Sequence, residues 1–181
     1  MTRRWTLAGI ILLLFAAATT VFLLSNGKES GSRQAIDRLF ATTLADEHGQ
    51  HQAMAQWRGK ILVVNFWATW CPPCREEMPY FSRLHTDYAA QGVQFVGIAV
   101  DSAAAVQAFA AREQISYPLL VGGQASVELS AELGNRAAGL PFTLLMDRNG
   151  EPIATRTGRF AEAELENLLR RQLSGQSAKM P

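Results

Sequence analysis

Ile61-Leu62-Val63-Val64-Asn65-Phe66-Trp67-Ala68-Thr69-Trp70-Cys71-Pro72-Pro73-Cys74 is the stretch on which the reading of this chain turns. Residues 61–66 are nearly all apolar, rich in β-branched side chains and bounded by Gly59-Lys60, which reads as a central strand buried on both faces. The residues after Cys74 have the spacing of a helix. Two thiols at this spacing, at a strand-to-helix junction, read as a redox pair. The first helical turn offers unpaired N–H groups and a positive dipole end. That environment favours thiolate at Cys71 and makes it a nucleophile near neutral pH. Three bland alternatives compete: a structural disulfide, half of a zinc site, and two bystander thiols. A disulfide across so short a loop removes little unfolded-state entropy. Zinc would need two more ligands, and the only histidines, His48, His51 and His85, have no finger-like spacing. The sequence implies no metal and no cofactor.

Composition bounds the rest. At 181 residues the chain suits one domain with an appendage. Net charge is +1, from 17 basic and 16 acidic residues, so no nucleic-acid footprint is expected. Two cysteines are too few for a disulfide scaffold. Residues 5–24, from Trp5 to Leu24, carry no charge and are dominated by Leu, Ile, Ala and Phe. As a helix they would span roughly 30 Å, a bilayer's hydrocarbon core. Arg3 and Arg4 precede them, which keeps residues 1–4 cytoplasmic and sends the rest across the membrane. A cleaved signal is the competing reading, with Ala16-Ala17-Ala18 as small residues near a cut. The apolar run continues through Val21-Phe22-Leu23-Leu24, however, which favours a retained signal anchor. Either way the domain lies outside the cytoplasm, most simply in a bacterial periplasm as a single-pass inner-membrane protein.

Residues 25–36 read as a flexible Gly/Ser-rich tether, 37–173 as the folded domain and 174–181 as a polar tail. Between Phe40 and Lys60 a small hairpin is expected around Asp46-Glu47-His48-Gly49, with His48 and His51 as solvated loop histidines. The helix after Cys71 carries Met78, Phe81, Leu84 and Tyr88 as a core stripe, with Pro79 inside it, and ends at Gln91-Gly92. A second buried strand covers 93–100. Ser102 caps a helix burying Val106 and Phe109, followed by a short strand at 117–121 and a short helix at 126–133. Strands at 142–146 and 153–157 flank Asp147-Arg148-Asn149-Gly150 as a hairpin, and an amphipathic helix over 160–173 turns Leu165, Leu168 and Leu169 inward. Strands alternating with helices, then a hairpin and a helix, give an α/β fold with a mixed central sheet.

Residues 64–79, Val-Asn-Phe-Trp-Ala-Thr-Trp-Cys-Pro-Pro-Cys-Arg-Glu-Glu-Met-Pro, are taken with residues 139–150, Gly-Leu-Pro-Phe-Thr-Leu-Leu-Met-Asp-Arg-Asn-Gly. Together with the anchor they resemble membrane-tethered thioredoxin-like proteins of the TlpA/ResA type. The resemblance covers about Phe40 to Leu173 and implies a thioredoxin-like sheet flanked by helices. It implies that Pro141 is cis and that its loop faces the cysteine pair; from the residues alone, Gly139-Leu140-Pro141 is only a turn signal. Thioredoxin has a buried aspartate six residues before its first cysteine as proton acceptor. Asn65 stands there in this chain and cannot titrate. The reductase subfamily places an acid three residues after the second cysteine, which is Glu77 here. From the residues alone, Glu77 between Glu76 and Met78 reads as an ordinary solvated residue.

The expected catalytic residues are therefore Cys71 as attacking thiolate, Cys74 as the deeper resolving thiol and Glu77 as its base. Trp70, Pro72, Leu140 and Pro141 are expected to form an apolar docking surface, and Trp67 to pack in the core. Phe142, bulkier than its usual counterpart after the proline, is expected to alter that groove. Three functions are open in principle. One is a periplasmic reductase of partner disulfides, supplied by a membrane electron-donor protein and serving cytochrome c maturation or copper-site assembly. The others are an oxidase or isomerase of secreted proteins, and a Cu(I) carrier using the two thiolates.

Overall fold

Side-chain parity along one strand organises the molecule. The computed structural model describes residues 31–175. Strand β3 (Ile61–Trp67) is buried at all seven positions. Its odd residues Ile61, Val63 and Trp67 join one apolar cluster and its even residues Leu62, Val64 and Phe66 another. This is the two-residue alternation of a pleated strand with both faces covered.

β3 pairs in parallel with β4 (Val93–Ala99), and β4 in parallel with β5 (Leu119–Val121). On the other side β3 pairs antiparallel with β6 (Phe142–Met146), which forms a hairpin with β7 (Pro152–Thr157). The hairpin β1 (Thr43–Asp46) and β2 (His51–Ala53) adds antiparallel to β5, giving the order β2-β1-β5-β4-β3-β6-β7. One face is covered by α2 (Pro72–Tyr88), α3 (Ala103–Ala110) and α5 (Glu162–Leu173). The other is covered by a helix over residues 31–41 (α1), by α4 (Ala125–Glu132) and by the 3-10 turn Met54–Trp57. The expected α/β fold with a mixed central sheet is the one observed.

Local chemistry accounts for the elements. Ser102 accepts a hydrogen bond from the Ala105 N–H at 3.3 Å and so caps α3. Asp147 Oδ1 accepts from the Asn149 and Glu151 N–H groups, and Gly150 takes φ +81°, closing the β6–β7 turn. Gly97 of β4 is required by a close approach. A Cβ there would meet Leu119 Cδ2 at 2.9 Å and Trp67 Nε1 at 3.0 Å, so only glycine lets the Trp67 indole lie across its neighbour. Trp67 is fully buried, with its ring centroid 4.7 Å from that of Phe109, as expected of a core residue.

Three differences from the sequence-based expectation stand out. The tether expected over 25–36 ends in structure: residues 31–41 are helical, and Ala35 and Ile36 are buried with Leu39 and Phe40. The spacing 35, 36, 39, 40 is a helical stripe, hidden in the sequence by the Gly/Ser-rich residues before it. Phe142 does not reach the expected groove. It follows the even parity, is 1% exposed and packs 5.9 Å from Phe66 on the face opposite α2. The segment after the first hairpin is a 3-10 turn that buries Met54 and Trp57. The expected membrane span at 5–24 lies outside the described residues, as does the tail from 176. Among the described residues no helix is long and apolar enough to cross a membrane.

Candidate active site

Everything chemical gathers where β3 ends and α2 begins. Cys71 is the N-cap of α2, with extended φ and ψ, and its Sγ accepts from the Cys74 N–H at 3.3 Å. Pro72 takes the first helical position, where a missing N–H costs nothing. A disulfide joins Cys71 and Cys74, whose Cα atoms are 5.3 Å apart. The Cys74 N–H and the positive end of the helix are therefore the groups available to stabilise a thiolate at Cys71. Cys74, one turn further in, is fully buried, whereas Cys71 retains slight exposure.

One turn beyond Cys74 on the same helix face lies Glu77, which is also fully buried. Its Oε1 accepts from Asn65 Nδ2 at 2.8 Å and its Oε2 from the Phe160 N–H at 3.1 Å. Asn65 Nδ2 also donates to Thr143 Oγ1 at 3.0 Å. Asn65 and Thr143 face α2 because they are in register across β3 and β6 and both carry odd parity. Burial pushes the Glu77 carboxyl up to about 7, against the Phe160 N–H, the Asn65 amide and the Arg159 charge, which pull it down. A carboxyl poised near neutrality one helical turn from Cys74 can exchange a proton with that residue's thiol at physiological pH once the disulfide is reduced. Burial and the Glu77 charge push Tyr80 up to about 12, so its phenol stays neutral and donates to the Phe160 carbonyl. The turn before α5 is thus held to α2 from both sides of Phe160. Glu76, the residue before Glu77, is exposed and pairs with Arg159 at 3.0 Å.

On the outer side of Cys71 lies a groove of about 510 Å³. It is lined by Trp70, Cys71, Pro72 and Pro73, by Val100, by Gln124 at the start of α4 with Val127 and Ser130 within it, and by Asn135, Ala138 and Leu140. No ionisable side chain other than the cysteine lines it. Trp70 is 66% exposed, the only large apolar side chain so displayed among the described residues. Its loop is fixed by Asp101, whose Oδ2 accepts from the Thr69 N–H at 3.1 Å and the Thr69 hydroxyl at 2.6 Å. The Leu140–Pro141 bond is cis and its loop borders the cysteine pair, as the resemblance implies. Leu140 lines the groove, but Pro141 is buried behind it, its carbonyl taken by the Gly158 N–H at 2.7 Å. Pro72 is exposed at the rim and also borders a second hollow of about 290 Å³, which Arg75, Glu76 and Glu113 line with charge.

The structure thus brings Cys71, Cys74 and Glu77 together inside and Trp70, Pro72 and Leu140 together outside. Three participants are not singled out by the sequence: Thr143, Phe160 through its N–H, and Asn135. Backbone donors and loop clamps leave no compositional trace. Among the described residues no cluster of three or more His, Cys, Asp or Glu could hold a metal.

Comparison with known proteins agrees with this geometry. The Redoxin family model matches residues 34–169. The thiol-disulfide oxidoreductase ResA of Geobacillus kaustophilus is 35% identical over 127 residues, covering 70% of this chain and 71% of that protein. The ResA of Geobacillus thermodenitrificans is 30% identical over 169 residues, covering 92% and 95%. Among solved structures, a thioredoxin-family thiol:disulfide interchange protein from Chlorobium tepidum TLS superposes with TM-score 0.66 at 26% identity, over 73% of this chain and 92% of that one. The chain belongs to the Redoxin family, as a ResA/TlpA-like thiol-disulfide oxidoreductase with the thioredoxin-like fold.

Proposed function

We propose that this protein reduces disulfides of partner proteins outside the cytoplasm, with Cys71 as nucleophile, Cys74 as resolving thiol and Glu77 as the base for Cys74. The observation that carries the reading is the fully buried Glu77, held near neutrality one turn beyond Cys74. The Cys71 thiolate attacks one sulfur of the partner disulfide, forming a mixed disulfide and releasing the partner's other sulfur as a thiolate. Cys74 passes its proton to Glu77 and attacks Cys71 Sγ. This forms the Cys71–Cys74 disulfide and expels the partner's second thiolate. Two electrons pass to the partner, and a membrane electron-donor protein restores the dithiol. The apolar span at 5–24 supports a signal anchor, and so an inner-membrane protein with its catalytic domain in the periplasm. The service proposed for it is cytochrome c maturation or copper-site assembly, the roles that the resemblance to TlpA/ResA-type proteins implies.

The reduction potential tests the direction. A value near about −270 mV supports the reductase, and one near about −120 mV would make it an oxidant instead. Retention in membranes after high salt and alkaline wash tests the anchor; a soluble mature chain beginning near Thr19 or Ser25 would refute it.

A further inference from the structure

Asn135 occupies an unusual position for an amide side chain. It lies just past α4, is 1% exposed, and every polar atom of its side chain is engaged. Its Oδ1 accepts from the Gly139 N–H at 3.1 Å and from the Thr157 hydroxyl at 3.4 Å. Its Nδ2 donates to the Gly139 carbonyl at 2.9 Å and to Ser130 Oγ at 3.2 Å. One side chain therefore satisfies both backbone groups of Gly139, as a paired strand would. The Asn135 backbone adds to this, its N–H donating to the Ser130 carbonyl and its C=O accepting from the Ala138 N–H, each at 2.9 Å.

The loop so held is the one that closes the groove. Ala138 sits at φ +48°, a conformation that non-glycine residues keep only when their surroundings dictate it. Gly139 is packed so closely that a Cβ there would meet Thr157 Cγ2 at 2.8 Å. Leu140 comes next. Among the described residues its N–H and C=O have no partner, so this stretch of backbone is open beside Cys71.

We propose that Asn135 is a positioning residue for partner docking: its buried carboxamide holds both backbone groups of Gly139 and so fixes the Ala138–Leu140 edge that walls the groove beside Cys71. The partner segment this suits is an extended one with uncharged, apolar residues around its cysteine, because the groove offers backbone and apolar surface but no charge. The inference rests on the exchange reaction proposed above and adds to it the group that shapes the docking edge.

The test uses a short synthetic peptide with one intramolecular disulfide flanked by leucines, in two arms: disulfide peptide with reduced protein, and dithiol peptide with oxidised protein. Asn135→Asp keeps the shape and the acceptors but loses both donations, to Gly139 and to Ser130. KM for the peptide is expected to rise about ten-fold in both arms with kcat within about three-fold, because loss of positioning weakens docking and not bond exchange. Amide exchange at Gly139 should quicken while that of β6 does not. Leu165→Ala, a core truncation in α5, lowers stability elsewhere and should leave KM unchanged. An unchanged KM in Asn135→Asp, or an equal rise in Leu165→Ala, overturns the proposal. Should Asn135→Asp not fold, Ser130→Ala, which removes one acceptor, is expected to raise KM about two- to three-fold, and no rise overturns it equally. A wrong direction of electron flow shows instead as one arm failing in the wild type, and if both arms fail, unchanged amide exchange in the variant still overturns the clamp.

Discussion

The two sides of the Cys71–Cys74 pair are built from different materials. Inside, Glu77, Asn65 and Thr143 are side chains of a helix and two strands, buried and hydrogen-bonded to one another. Outside, the groove sets two loop pieces, Trp70 before α2 and Ala138–Leu140 before β6, pinned by Asp101 and Asn135, against the start of α2 and one side of α4. Moving a proton needs a low-dielectric site whose geometry does not change with the partner. Meeting a partner needs exposed backbone and apolar surface that solvent can leave. The disulfide sits where the two meet, with Cys74 on the inner side and Cys71 at the outer edge.

The sharpest test of that division is the cysteines themselves. Cys71→Ser should abolish exchange. Cys74→Ser should leave attack intact and accumulate a covalent adduct with the partner, visible on non-reducing gels. If adduct accumulates in Cys71→Ser instead, the inner and outer assignments are reversed.

Glu77→Gln comes next. Resolution of mixed disulfide should slow about 10²-fold near pH 7 and lose the pH dependence centred there, as for removal of a general base. Wild-type rates across pH 5 to 8 would show the inner side to be structural only.

The same carboxyl should leave a mark on stability. Its folded value of about 7 lies above its ordinary 4.5, so the folded state binds this proton more tightly than the unfolded chain does. The stability it contributes is fully present below about pH 4.5 and is lost as pH rises through 7, by roughly 3 kcal/mol in all. Denaturant titrations of the oxidised wild type should show that decline and Glu77→Gln should not. Parallel pH profiles would contradict the buried carboxyl.

On the outer side, Trp70→Ala should raise KM for a protein substrate about ten-fold with little change in melting temperature, since its exposed ring contributes to docking and not to the core. A melting temperature lowered as if by a core truncation would move Trp70 to the inner set. Smallest is Glu76→Gln. Its pairing with Arg159 is exposed, so rate and stability should change by less than about two-fold and 1 kcal/mol. A larger effect would mean that the turn bearing Phe160 depends on that ion pair.

Much of the fold is legible in the sequence because its signals are local and periodic. The seven buried positions of β3, the 78, 81, 84, 88 stripe of α2 and the Asp147–Gly150 turn each announce themselves within a few residues. The helix over 31–41 is harder to see, since its four apolar points sit beside a Gly/Ser-rich run. Phe142 misleads for a different reason. Its position after Pro141 suggests the groove, but strand parity turns it to the other face.

What the sequence by itself determined is the chemistry on offer: two thiols at the start of a helix, a pair of carboxylates one turn on, a tryptophan before them, a proline before a late strand. From the residues alone Glu77 reads as solvated like Glu76; the resemblance singles it out by its place three residues after Cys74, but does not show which of the two adjacent carboxylates is buried. Tertiary structure decided that. The sheet lies under one of them, where Asn65 and the Phe160 N–H, twelve and eighty-three residues away, supply partners and burial removes water. The other faces solvent. In the same way Asn135 carries no motif; its role exists only because the chain folds Gly139 back onto its amide. Charge state and docking edge both depend on contacts between residues far apart in sequence, and such contacts form only when the core is assembled.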